Sequence, residues 1–121
     1  METERILVIE DENFIRDNVL ELLQLQGYEV RGAANGIEGI EIAREWNPQL
    51  ILCDLFMPKG DGYSVIAATQ LFCNPPRIII LTASGDNENL LKLQEMGIRF
   101  ILKPFNMNQL IVRVKEGLRG V

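Results

Sequence analysis

The chain has no histidine. That removes imidazole as nucleophile, general base or metal ligand. Cysteine is scarce: Cys53 and Cys73 have no metal-ligand spacing, and Cys53 falls inside an apolar run. Both read as reduced, structural thiols of an intracellular protein. No apolar stretch approaches the roughly 20 residues that a membrane span needs, so no membrane association is expected. The opening Met1-Glu2-Thr3-Glu4-Arg5 lacks a secretion-signal pattern, which points to the cytoplasm. Positive charge is also short, with 12 Lys and Arg against 17 Asp and Glu and a net charge of −5. Binding to nucleic acid by this domain alone is therefore not expected, because counterion displacement needs clustered cations.

What remains is an ordinary globular composition. The 121 residues are 47% hydrophobic and 24% charged, which reads as one domain over residues 1–121. Its most informative stretch is Leu50-Ile51-Leu52-Cys53-Asp54, followed by Leu55-Phe56-Met57-Pro58-Lys59-Gly60-Asp61-Gly62. The apolar run predicts a strand buried on both faces, as in the middle of a parallel sheet. Asp54 ends it. An unpaired carboxylate is too costly to serve as core filling, so Asp54 should face a crevice. The turn residues that follow keep the loop short and stiff.

Strands and helices alternate along the rest of the chain. Ile6–Ile9 predicts the first strand, stopping at Glu10-Asp11, with a helix capped by Asn13 and running to Gln26. Tyr28–Arg31 alternates like a half-exposed edge strand. Asn35 and Glu38 have capping-box spacing for a second helix ending near Trp46. Gly39 inside it costs about 1 kcal/mol relative to Ala, which a close approach to the sheet would explain. A third helix is predicted over Tyr63–Phe72 and a fourth strand over Ile78–Leu81, stopping at Thr82. Ser84–Asn87 reads as loop before a fourth helix that Gly97 stops after Met96. Phe100–Leu102 predicts the fifth strand, stopping at Lys103-Pro104, and Asn106 with Gln109 caps the last helix. The pattern is that of a five-stranded α/β sheet with helices on both faces.

Four apolar runs thus end in polar residues: Glu10-Asp11, Asp54, Thr82 and Lys103. In a parallel sheet these endings share one edge, where ligands bind. Taken singly, an acidic strand ending is a helix cap, Thr82 is a strand residue and Lys103 is a surface lysine. Together they place three carboxylates, a hydroxyl and an amine at one crevice. Crowded carboxylates resist full ionisation, and a hard divalent cation relieves the repulsion. All-oxygen donors favour Mg²⁺, which also takes phosphate oxygens. Lys103 and Thr82 supply a charge and a donor for a phosphoryl group. Asp54 is the candidate nucleophile, forming an acyl phosphate.

These residues resemble the receiver domain of bacterial two-component response regulators, the CheY-like fold. The resemblance spans nearly the whole chain: Glu10-Asp11, Asp54 with Met57-Pro58 and Asp61-Gly62, Thr82-Ala83, and Lys103-Pro104-Phe105. It implies a flavodoxin-like, doubly wound (βα)5 fold with strand order 2-1-3-4-5. It implies that Asp54 takes phosphate from a histidine kinase or phosphotransfer protein. Asp11, Asp54 and the backbone carbonyl of Phe56 would hold Mg²⁺, with Glu10 acting directly or through water. Lys103 would contact the phosphoryl group, and its bond to Pro104 would be cis. Thr82 would swing toward the phosphoryl oxygen, and Phe100 would be the switch aromatic turning inward behind it. Readout would pass to an effector or through self-association by the fourth helix, fifth strand and fifth helix. Gly97-Ile98-Arg99 lacks the paired acidic residues of the DNA-binding subfamily that dimerises through salt bridges there, which counts against that subfamily. Nothing after Leu118 reads as an effector domain.

Two positions carry added expectations. Phe56 either screens the phosphoryl-aspartate from water or plugs the loop. Leu90, Leu91 and Leu93 either include a docking face or all belong to the core. Three other functions fit less well. A haloacid-dehalogenase-like phosphotransferase wants a second Asp where Phe56 stands. A flavin module wants a Ser/Thr/Gly-rich phosphate loop where Glu10-Asp11-Glu12 stands. A phosphate-independent docking receiver does not need Asp54, Thr82 and Lys103 together.

Overall fold

Five strands and five helices alternate in the computed structural model, which describes residues 3–83 and 85–120. In chain order they are β1 (Arg5–Ile9), α1 (Asn13–Leu25), β2 (Glu29–Ala33), α2 (Gly36–Trp46) and β3 (Leu50–Asp54). Then follow α3 (Gly62–Thr69), β4 (Arg77–Ala83), α4 (Asn87–Glu95), β5 (Arg99–Lys103) and α5 (Met107–Arg119). All pairings are parallel, in the order β2-β1-β3-β4-β5. The expected flavodoxin-like arrangement is therefore the one observed.

Successive strand residues face opposite sides of the sheet. Leu7, Ile9, Ile51, Cys53 and Ile80 pack with Ala43, Trp46, Val65, Ile66 and Leu93 from α2, α3 and α4. Ile6, Val8, Leu50, Leu52, Ile79 and Leu81 pack with Val19 and Leu23 of α1 and Leu110 and Val114 of α5. The unbroken apolar runs of β1, β3 and β4 are thus explained by two separate cores. Cys53 is buried, as expected of a structural thiol, whereas Cys73 is exposed.

Some local expectations shift. The cap of α1 is Glu12, not Asn13, and Glu12 makes no side-chain cap bond. Asn13 is already helical, and its amide oxygen accepts from Arg16 instead. Helix α3 stops at Thr69 rather than Phe72. The Thr69 hydroxyl donates to the Val65 carbonyl at 2.8 Å, competing with the helical ladder, and Phe72 N–H closes a tighter turn onto Thr69. Strand β4 runs past Thr82 because Thr82 and Ala83 still pair with Leu102 and Lys103 of β5. Strand β2 begins at Glu29, not Tyr28, and α4 begins at Asn87, which the sequence placed in the loop. Ser84 of that loop lies outside the described residues, as do Met1, Glu2 and Val121.

The other caps form as expected. Asn35 accepts from Glu38 N–H at 2.9 Å, and Asn106 accepts from Gln109 N–H at 2.7 Å. Gly39 is the close approach its cost suggested: a Cβ there would lie 2.3 Å from Ile9 Cδ1.

Candidate functional site

Glu10, Asp54 and Lys103 sit at the carboxyl ends of β1, β3 and β5. By strand alternation all three fall on the α1/α5 face of the sheet, as Val8, Leu52 and Ile101 do two residues earlier. The Lys103 ammonium donates to Asp54 Oδ1 and, at 3.3 Å, to Glu10 Oε1. Asp11 completes the cluster: Glu10, Asp11 and Asp54 each offer a carboxylate oxygen, all within 4.8 Å of one another. Glu10 is buried, Asp54 partly buried and Asp11 exposed, so the cluster opens to solvent on one side.

The electrostatics follow from this crowding. Burial raises the Glu10 pKa, and the Asp54 charge adds to it. Burial also raises Asp54, outweighing the Lys103 hydrogen bond and charge that pull it down. Burial alone would lower the Lys103 amine, but its bonds and attraction to Asp54 and Glu10 prevail and raise it. Lys103 thus stays charged, and one ammonium does not balance three carboxylates. The cluster holds extra positive charge, as proton or cation, more tightly than separate carboxylates would. Its donors are all hard oxygens at a spacing that one divalent ion can span, so they fit Mg²⁺.

The loop after β3 is held from several sides. Leu55 and Met57 turn inward and are buried, which leaves Phe56 between them pointing outward, 57% exposed. The ring is therefore no loop plug. Gly62 N–H donates to the Leu55 carbonyl at 2.7 Å. The first turn of α2 then reaches over: Gly36 and Ile37 N–H donate to the carbonyls of Gly60 and Lys59, each at 3.2 Å. Gly36 permits this contact, because a Cβ would sit 2.5 Å from the Gly60 oxygen. The Lys103-Pro104 bond is cis, as expected.

Thr82 stands apart from this set. Asp54 pairs with Leu81, so Thr82 lies one residue further on and on the other pleat face. It is buried, and no hydrogen bond joins it to the carboxylates among the described residues. Phe100 shares its face: it pairs with Ile80 and packs against the α2/α3/α4 core, only partly buried. On α4, Leu93 is buried and Leu91 is 57% exposed, so the three leucines divide between core and surface.

Residue type alone did not single out Arg16. Its Nη1 donates to the Glu10 carbonyl at 2.7 Å and its Nη2 to Asn13 Oδ1 at 2.6 Å. The available signal was its position, little more than one turn into the helix that follows the acidic pair.

Residues 6–115 match the family described as "Response regulator receiver domain". The chain is 39% identical over 122 residues to the Porphyridium aerugineum protein named "Probable transcriptional regulator ycf27", covering 100% of this chain and 50% of that one. It is 37% identical over 115 residues to the transcriptional regulatory protein SrrA of Staphylococcus aureus, covering 94% of this chain and 47% of SrrA. It thus spans about half the length of these curated relatives. Among solved structures it is similar to a CheY-like response regulator receiver domain protein from Methanospirillum hungatei, with a TM-score of 0.88 and 29% identity. That match covers 98% of this chain and 96% of the other.

Proposed function

The chain belongs to the response regulator receiver domain family, and from that premise we propose that it is the phosphoacceptor module of a two-component system, loaded at Asp54. The observation that carries this reading is the Lys103 ammonium bonded to both Asp54 and Glu10 within the acidic cluster. The donor is a phosphohistidine of a histidine kinase or phosphotransfer protein. An Asp54 carboxylate oxygen forms the new bond to phosphorus as the bond to the histidine nitrogen breaks. The electron pair leaves with the imidazole, which picks up a proton.

Glu10, Asp11, Asp54 and the Phe56 backbone carbonyl would hold Mg²⁺, which when bound supplies positive charge against the transferring phosphoryl group. Lys103 gives up its contact with the Asp54 carboxylate and meets a phosphoryl oxygen instead. Thr82 swings from its buried position toward the phosphoryl oxygen. That leaves space behind it on the pleat face it shares with Phe100, whose ring turns inward to fill it. Such a coupled pair makes a two-state equilibrium that phosphorylation shifts, because only one state gains the Thr82 contact. The shifted surface of α4, β5 and α5, including exposed Leu91, is read by an effector, by an attached output domain or by a second copy. The module works in the cytoplasm, where its kinase and effector meet it, and its only chemistry is the gain and loss of phosphate at its own Asp54. No helix among the described residues is long and apolar enough to cross a membrane.

Incubation with Mg²⁺ and acetyl phosphate tests the reading by intact mass. The wild type gains one phosphoryl group and Asp54→Ala gains none. No gain in the wild type, or an equal gain in both, overturns it.

A further inference from the structure

The turn that carries Glu10 and Asp11 begins a helix without a side-chain cap, since Glu12 makes no such bond. Arg16 does the holding instead. Its guanidinium forks between the Glu10 carbonyl and the Asn13 side chain, at 2.7 and 2.6 Å. Its stem lies across β2 at Gly32, where an added Cβ would meet Arg16 Cδ at 3.1 Å and Leu20 Cδ1 at 2.9 Å. From the other side, Glu10 N–H donates to the Ala33 carbonyl of β2 at 3.0 Å.

The Glu10 carbonyl belongs to the same planar peptide unit as the Asp11 nitrogen. Fixing that carbonyl fixes the plane, and with it the direction in which the exposed Asp11 leaves the backbone. We propose that Arg16 is a positioning residue for the metal site: it aims Asp11 at Glu10 and Asp54 by holding the peptide between Glu10 and Asp11. This rests on the reading that the three carboxylates take a divalent cation.

The sign of the effect separates positioning from simple charge. Removing a positive charge near an acidic site should by Coulomb attraction alone leave binding of a divalent ion unchanged or tighter. Removing a positioning tether should weaken it. Mn²⁺ binding to the full chain, followed by the paramagnetic resonance signal of the unbound ion, gives the affinity directly. Arg16→Met keeps an apolar stem over Gly32 but loses the fork, and its Mn²⁺ affinity falls about tenfold. Arg16→Lys keeps the charge and falls comparably, because one ammonium does not span both acceptors.

Unchanged or tighter Mn²⁺ binding in Arg16→Met overturns the proposal. So does a loss confined to the urea-unfolding midpoint with the affinity of the folded protein intact. Where Arg16→Met does not fold, Gly32→Ala displaces the stem, and the fork with it, while the positive charge stays in the chain; a smaller loss of affinity supports the proposal and none overturns it. Absence of Mn²⁺ binding in the wild type overturns the metal reading itself, and this inference with it.

Discussion

A single ammonium stands between two buried or partly buried carboxylates, and the chemistry of the site follows from that shortage of cations. Asp54 was legible because an acidic residue ended an apolar strand, a position where a charge has no packing use. Arg16 was not legible, because an arginine on the polar side of a helix reads like any solvated one. Only its contact with the Glu10 carbonyl distinguishes it. Phe56 falls between these cases. Its place two residues after Asp54 was visible, but its outward ring follows from the burial of Leu55 and Met57 on either side. On the proposal that Asp54 carries phosphate, an exposed ring two residues further on would screen the phosphoryl group from water. Phe56→Asn is accordingly expected to speed loss of phosphate about tenfold, equivalent to about 1.4 kcal/mol of barrier. Dephosphorylation followed by intact mass measures this, and an unchanged rate removes the role.

Among the elements, α2 shows why local propensity misleads. Its glycines look like weak points, yet each marks a contact. Gly36 admits the Gly60 carbonyl, and Gly39 admits Ile9. Gly39→Ala gains about 1 kcal/mol of helix propensity but forces a Cβ to 2.3 Å from Ile9 Cδ1. Overpacking of this kind costs about 1–3 kcal/mol, so the variant is expected to be net destabilised, seen as a lower urea-unfolding midpoint. A stabilised Gly39→Ala would show that Ile9 yields freely. Strands β3 and β4 show a different limit. Each is buried on both faces, so neither alternates, and nothing in the run Ile78–Leu81 says which residues share a face with Asp54. That parity comes from the pairing of Asp54 with Leu81. Sequence reasoning therefore grouped Thr82 with the carboxylates, whereas the pleat sets it on the side of Phe100. Helix α3 was overextended because the Thr69 hydroxyl bond to the backbone is invisible before the turn exists.

For the whole molecule, the sheet turns sequence distance into proximity, and the order of strands was readable only through resemblance to a known fold. The site it assembles ties stability to pH. Glu10 and Asp54 have raised pKa values in the folded chain, against ordinary carboxylates near about 4 when unfolded. The folded state therefore binds more protons. Its share of stability from these groups is full at acid pH and is lost as pH rises through the raised values. On the proposed metal reading a divalent ion would take the place of those protons, so its stabilising effect should grow over the same range. At a hundred times its dissociation constant, Mg²⁺ should add about 2.7 kcal/mol, or about 10 °C in Tm for a chain of this size. That gain is expected in full above the raised values and should shrink as the pH falls through them, measured by thermal unfolding with and without Mg²⁺ across a pH series. A Mg²⁺ effect independent of pH would contradict the carboxylate account.

The amine that answers Glu10 arrives 93 residues later, on an outermost strand of the sheet. Until β5 docks, Glu10 and Asp54 lack the Lys103 ammonium that both of them accept from. The crevice at the sheet edge is thereby closed electrostatically only when this outermost strand is in place, so loosening β5 alone should expose the carboxylates to one another.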